Sequence, residues 1–167
     1  MPPSLPPPDF LAILEVLSRH KVEYVLVGGV AAVLYGSPAN TFDVDVVHSR
    51  GTSNIERLLA ALEELDAVYR MQPERRLRPG ATHLTSGGHS LLLTRFGPLD
   101  VLGTIGKSRS YEDLINRTSR VEISDGLAIA VLDLPTQIEV KEEVAGPKDQ
   151  LQLPILRQLL EQLKNRA

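Results

Sequence analysis

Residues 22–47 read VEYVLVGGVAAVLYGSPANTFDVDVV and contain two predicted strands with a short helix between them. Residues 22–27 are rich in β-branched and aromatic side chains and end at two glycines, which is typical of a buried strand. Residues 30–35 are apolar and are followed by a glycine and a proline, which favours a short helix. Residues 41–47 alternate in polarity and predict the second strand.

Two aspartates, Asp43 and Asp45, lie in this second strand. Residues i and i+2 of a strand share a face, so both carboxylates are expected on one face and Phe42, Val44 and Val46 on the core face. Two like charges about 5 Å apart in an effective dielectric near 20 repel by roughly 3 kcal/mol. A hard divalent cation such as Mg²⁺ takes oxygen ligands and would remove this conflict. The alternative is a pair of solvated aspartates on an exposed strand.

Gly28 and Gly29 connect the first strand directly to the short helix. Backbone N–H groups at a helix N-terminus bind anions, and glycine lets a phosphate approach closely. The alternative is a tight strand-to-helix turn that needs glycine for its backbone angles. The spacing of a Walker A loop is absent.

The remaining pattern mixes helices and strands and predicts an α/β (α+β) domain with a mixed sheet flanked by helices. Helices are expected at residues 9–19, 53–66, 111–116, 135–144 and 148–164, and strands at residues 89–95, 99–102, 119–123 and 127–131. Ser53 and Glu56 have the spacing of a capping box. Five prolines in residues 1–8 predict an extended arm, and residues 9–167 are expected to form one domain.

Residues 70–80 are polar and rich in arginine, which predicts a loop. Arg75, Arg76 and Arg78, with Arg70 nearby, would either steer a triphosphate or an RNA acceptor or form a solvated, mobile surface.

Composition excludes several classes of function. The 167 residues include no cysteine, so disulfides, cysteine-based zinc sites and thiol nucleophiles are excluded. The formal net charge of −3 means that any contact with nucleic acid or nucleotide must be local. No apolar run reaches the roughly 18 residues of a membrane span, so a soluble, cytoplasmic protein without membrane contact is expected.

The combination of Gly28-Gly29, a short apolar helix and Asp43-Val44-Asp45-Val46 resembles the signature of the DNA polymerase beta-like nucleotidyltransferase superfamily. That family has a third carboxylate on a neighbouring strand, where this chain has Asp100. The resemblance extends from about Leu11 to Leu163. It is strongest to compact, single-domain members, including the minimal type of toxin–antitoxin pairs and the abortive-infection type IV toxins.

The resemblance implies a role for each matching residue. Asp43 and Asp45 would bind two Mg²⁺ ions, and Asp100 would complete the second metal site and accept a proton from the attacking hydroxyl. Gly28 and Gly29 would hold the triphosphate of an NTP such as ATP. Lys141 and Lys148 would neutralise phosphate charge, whereas Ser37 would either contact phosphate or shape the turn.

The implied reaction is NMP transfer from an NTP to a hydroxyl of a protein or a tRNA, with a cognate toxin or antitoxin as a further partner. Many relatives carry a basic residue shortly before the first aspartate, where this chain has Asn40. This departure supports an alternative, a catalytically degenerate module that binds a nucleotide or a partner protein in the manner of an antitoxin.

Overall fold

The computed structural model describes residues 8–166, which form seven α-helices and seven strands. The helices are α1 (Phe10–Arg19), α2 (Gly28–Leu34), α3 (Thr52–Glu64), α4 (Ala81–Thr85), α5 (Tyr111–Leu114), α6 (Leu134–Val144) and α7 (Pro147–Asn165). The strands are β1 (Tyr24–Val27), β2 (Val44–His48), β3 (Val68–Tyr69), β4 (His89–Thr94), β5 (Gly97–Leu102), β6 (Thr118–Ser124) and β7 (Leu127–Leu132). The predicted proline-rich arm lies, apart from Pro8, outside the described residues.

The seven strands form one mixed sheet in the order β3-β4-β5-β2-β1-β7-β6. Strand β2 is antiparallel to β1 and parallel to β5, and β1 is parallel to β7. The pairs β3–β4, β4–β5 and β6–β7 are antiparallel, and the last two are hairpins. The prediction of a mixed sheet flanked by helices is therefore confirmed.

Two apolar clusters cover the two faces of the sheet. The larger cluster packs α1 and α3 against alternate strand residues, including Leu26, Val44 and Leu99. The opposite face carries a smaller cluster in which Leu114 of α5 packs near Val47. Because successive strand residues point to opposite faces, Asp45 shares the face of Val47 and remains outside the main core. The smaller cluster therefore covers only part of this face of the sheet, and polar side chains such as Asp45 occupy the remainder.

Several helix starts predicted from sequence are confirmed. The Asp9 side chain accepts a hydrogen bond from the Ala12 N–H at the start of α1. Ser110 and Asp113 form a capping box at α5, and Asp133 caps α6. None of the helices within residues 8–166 combines the length and the apolar character needed to cross a bilayer.

Two local predictions are wrong. Phe42 was expected on the core face but is 74% exposed, because the chain enters the sheet only at Val44 and residues before it do not follow the strand alternation. Ser53 does not cap a helix, because α3 begins earlier, at Thr52, with Gly51 in the cap position. The elements β3 and α4 were not predicted at all, since each is too short to show a period.

Asn54 ties the start of α3 to the sheet. Its side chain is 2% exposed and accepts a hydrogen bond from the Glu23 N–H at 2.7 Å. Its amide donates to the backbone carbonyls of Glu23 and Ser49 at 3.0 and 2.8 Å. One buried side chain therefore satisfies three backbone groups at the ends of β1 and β2.

We expect Asn54→Ala to lower the free energy of unfolding by about 2–4 kcal/mol, because it leaves those backbone groups buried without partners. Urea denaturation followed by circular dichroism measures the change. Asn116→Ala is the matched control, since Asn116 is exposed. Equal losses in the two variants would contradict the structural role of Asn54.

Candidate active site

Three aspartates converge on the open face of the sheet. Asp43 immediately precedes β2, Asp45 lies within it, and Asp100 lies on the parallel strand β5, in register with Asp45. One carboxylate oxygen from each residue lies within 4.8 Å of the others. The structure therefore brings together the three carboxylates singled out from the sequence.

Burial and mutual repulsion disfavour the charged form of these carboxylates. Burial, followed by the charge of Asp43, raises the pKa of Asp45 to about 8. Burial and the neighbouring Asp100 also raise the pKa of Asp43. Without a cation, the cluster therefore retains protons at a pH where exposed aspartates have lost them.

The donor set fits a hard divalent cation. All three side chains offer oxygen, which is the ligand atom that Mg²⁺ prefers. The Oδ1 atom of Asp100 is buried and accepts no well-aligned hydrogen bond. A cation among these oxygens would replace like-charge repulsion by attraction.

Arg70 also contacts the cluster, a contact that the sequence did not reveal. Its Nη1 lies 3.0 Å from Asp100 Oδ1. The two atoms attract each other as an ion pair, but the N–H geometry does not make a hydrogen bond, in agreement with the unpartnered oxygen. Arg70 follows the two-residue strand β3, which is too short to indicate from sequence where the side chain lies.

Gly28 and Gly29 allow the start of α2 to approach the acid segment closely. Gly28 has a φ of +71°, and a Cβ there would collide with Asp45 Oδ2. A Cβ on Gly29 would lie 2.7 Å from Thr41 Oγ1. Close packing therefore requires glycine at both positions, as the interpretation of a tight strand-to-helix turn predicts. The same close approach places the start of α2 beside Asp45.

The residues proposed to bind nucleotide line two adjoining cavities. Gly28, Gly29, Ser37, Asn40 and Lys141 line a cavity of about 50 Å³. Gly28 and Lys141, with Asp45, also line a second cavity of about 230 Å³. Four of the five predicted nucleotide contacts therefore line these two cavities, which share Gly28 and Lys141.

Ser37 and Lys141 already have protein partners. Ser37 Oγ accepts a hydrogen bond from the Ala39 N–H at 3.3 Å, as expected for a residue that shapes a turn. Lys141 Nζ donates to Gln152 Oε1 at 2.6 Å and lies 3.5 Å from Asp149 Oδ1. A bound phosphate would therefore compete with these partners for the Lys141 ammonium.

Lys148 is exposed in the first turn of α7 and makes no ion pair with any residue between 8 and 166. Its charge acts against the rise in the pKa of Asp43 and Asp45, which places it within electrostatic reach of both. It does not line either cavity.

The arginine-rich loop is held against α3 rather than against the acid cluster. Arg76 and Arg78 both form ion pairs with Asp66, at 2.5 and 2.6 Å. Arg75 bonds only to Gln72 within the described part of the chain. Of the four arginines grouped from the sequence, Arg70 alone reaches the acids, so the other three are surface residues with structural contacts.

Two solved structures share this arrangement of helices and strands. A protein from Thermotoga maritima, provisionally assigned as a nucleotidyltransferase, has a TM-score of 0.56 and 16% identity, covering 92% of this chain and 91% of its own. The lincosamide antibiotic adenylyltransferase LnuA, solved with lincomycin bound, has a TM-score of 0.59 and 16% identity, covering 90% and 95%. The chain has the nucleotidyltransferase fold.

At 16% identity these similarities establish the fold. No protein-family model matches the sequence, and no curated protein matches it. The nucleotidyltransferase fold and the three converging aspartates nevertheless agree with the general kind of reaction indicated by the sequence resemblance.

We expect the metal-free protein to lose stability as the pH rises from about 4 to about 8. The Asp45 carboxyl has a raised pKa of about 8 in the folded state and an ordinary pKa of about 3.9 when unfolded, so its stabilising proton is lost across this range. Asp45→Asn carries no charge to repel. At pH 8 without metal it should unfold at a higher temperature than the wild type.

Thermal unfolding in EDTA at several pH values tests this, with Asp125→Asn as the control, since Asp125 lies in the exposed β6–β7 turn. Added Mg²⁺ at pH 8 should stabilise the wild type more than Asp45→Asn. If the unfolding temperatures of the wild type and Asp45→Asn changed with pH in the same way, Asp45 would not be the group that causes the loss of stability.

Proposed function

We propose that this protein is an Mg²⁺-dependent nucleotidyltransferase that moves an NMP from an NTP to a hydroxyl. The observation that carries the proposal is the cluster of Asp43, Asp45 and Asp100 beside the glycine-bounded start of α2. The nucleotidyltransferase fold of the two similar structures supports it.

Asp43, Asp45 and Asp100 would hold two Mg²⁺ ions, which supply charge neutralisation at the phosphates and lower the pKa of the attacking hydroxyl. The acceptor oxygen forms a bond to the α-phosphorus, and the bond between that phosphorus and the bridging oxygen of the β-phosphate breaks. Pyrophosphate leaves. The hydroxyl proton would pass to the Asp100 carboxylate.

The other predicted contacts serve the triphosphate. No side chain caps α2, so its first N–H groups, at Gly28 and Gly29, would be free to bind the negatively charged triphosphate. Lys148 is exposed and near the acids, so it can approach phosphate directly, whereas Lys141 must first leave Asp149. Asn40 lines the glycine-side cavity and offers a hydrogen bond without charge.

The proposed acceptor is a protein or a tRNA, within a toxin–antitoxin type of system in the cytoplasm. The sequence resemblance to compact members of those systems supports it. A small-molecule hydroxyl is a second candidate, because LnuA is an antibiotic adenylyltransferase and this chain covers 95% of it.

The alternative of a degenerate binding module rests on Asn40, which replaces a basic residue. The convergence of three carboxylates weighs against it, because a binding module has no need for a partly buried cluster of like charges.

We expect label from one or more α-³²P-labelled NTPs to appear on an acceptor in the presence of Mg²⁺. Asp43→Asn, Asp45→Asn and Asp100→Asn should each lower the rate by at least about a hundredfold, since each removes a metal ligand or the proton acceptor. The control is Asp125→Asn, which changes the same residue type in an exposed turn. Transfer that persists undiminished in all three variants would refute the proposed function.

We expect the labelled acceptor to be a macromolecule. Reactions are supplied separately with total tRNA, with protein extract and with hydroxyl-bearing antibiotics including lincomycin. Label that becomes soluble after nuclease identifies tRNA, and label released by protease identifies a protein. Label found only on an antibiotic would replace the macromolecular acceptor by the second candidate.

A further inference from the structure

We propose that Arg70 acts as a built-in monovalent cation of the acid cluster, which holds Asp100 in place and weakens the binding of a second divalent cation until a triphosphate is present. This proposal rests on the proposed function, because it concerns the same carboxylates and the same kind of cation. It assigns Arg70 as a positioning residue.

The Arg70 side chain is anchored by strand β4 independently of Asp100. Its backbone N–H donates to the Leu91 carbonyl at 2.9 Å, and its Nη1 donates to the Leu92 carbonyl at 3.2 Å. Leu91 is paired with Asp100 across the β4–β5 hairpin. The guanidinium is therefore held by the backbone at the position from which it reaches the third carboxylate.

The contact between Arg70 and Asp100 is an ion pair without a well-aligned hydrogen bond. Nη1 lies 3.0 Å from Oδ1, yet Oδ1 accepts no hydrogen bond and is fully buried. A carboxylate engaged in two directed hydrogen bonds would have little capacity left for a metal. Here no directed hydrogen bond has to be broken before Oδ1 binds a metal ion, but the positive charge of the neighbouring guanidinium opposes the approach of a cation.

The charge balance of the acid cluster determines how many divalent cations it can bind. The three carboxylates carry three negative charges when ionised, and Arg70 offsets one of them. One divalent cation balances the remaining two. A second divalent cation would then enter a site with no net negative charge left and would create a positive excess, to which the exposed Lys148 adds. A triphosphate brings the negative charge that offsets this excess.

The test is a titration of the nucleotide-free protein with Mn²⁺, in which free Mn²⁺ is read by electron paramagnetic resonance. We expect the wild type to bind one ion tightly and a second much more weakly. Arg70→Gln should bind the second ion at least about tenfold more tightly, because a unit charge a few ångströms from the metal is removed. Arg70→Lys keeps the charge and should behave like the wild type.

Arg75→Gln is the matched control, since it removes the same charge from the same loop at a residue whose side chain bonds only to Gln72 within residues 8–166. Arg70→Met, which keeps the aliphatic stem, is measured alongside in case the glutamine variant does not fold. With a non-hydrolysable NTP analogue present, the difference between the wild type and Arg70→Gln should shrink.

Two tight ions in the wild type, or an unchanged second affinity in both Arg70→Gln and Arg70→Met, would overturn the role of Arg70. These titrations contain no acceptor and do not read transfer. A protein that transfers NMP but shows no effect of Arg70 refutes this inference alone. A protein that shows the Arg70 effect but transfers no NMP refutes the proposed function alone.

Discussion

The structure depends on holding three like charges together at one place in a sheet. Asp45 and Asp100 are brought side by side by the parallel pairing of β2 with β5, and Asp43 joins them from the residue before β2. The pairing is fixed by apolar residues on the opposite face, where Val44 and Leu99 are fully buried. The hydrophobic core therefore supplies the free energy that keeps mutually repelling carboxylates in contact.

Sequence patterns predicted most of the fold because most elements are long enough to show a period or a turn signal. The strands predicted at residues 119–123 and 127–131 form the β6–β7 hairpin, and the helices predicted at residues 135–144 and 148–164 are α6 and α7. The errors fall at element ends and in very short elements. Phe42 fits the alternation of apolar and polar residues in the sequence. That alternation predicts which face a side chain occupies only where the residue is paired in the sheet, and Phe42 is not.

The sequence predicted those residues of the candidate site that belong to short local motifs. Asp43, Asp45 and the two glycines are close in sequence, and Asp100 was found through the family pattern. Arg70 was not predictable, because its contact with Asp100 depends on how β3 packs beside β4, and neither the length nor the composition of β3 indicates this. The remaining loop arginines were misleading, since a charged run alone does not reveal that Asp66 is their partner.

The register between β2 and β5 also sets which insertions and deletions the chain can tolerate over evolution. Removing one residue within either strand would turn its aspartate toward the core and bring an apolar side chain into the cluster. Changes of length in the loop between β3 and α4 leave that register untouched. Divergence can therefore replace most side chains, as the 16% identity to proteins of the same fold illustrates, provided that the register between β2 and β5 is kept.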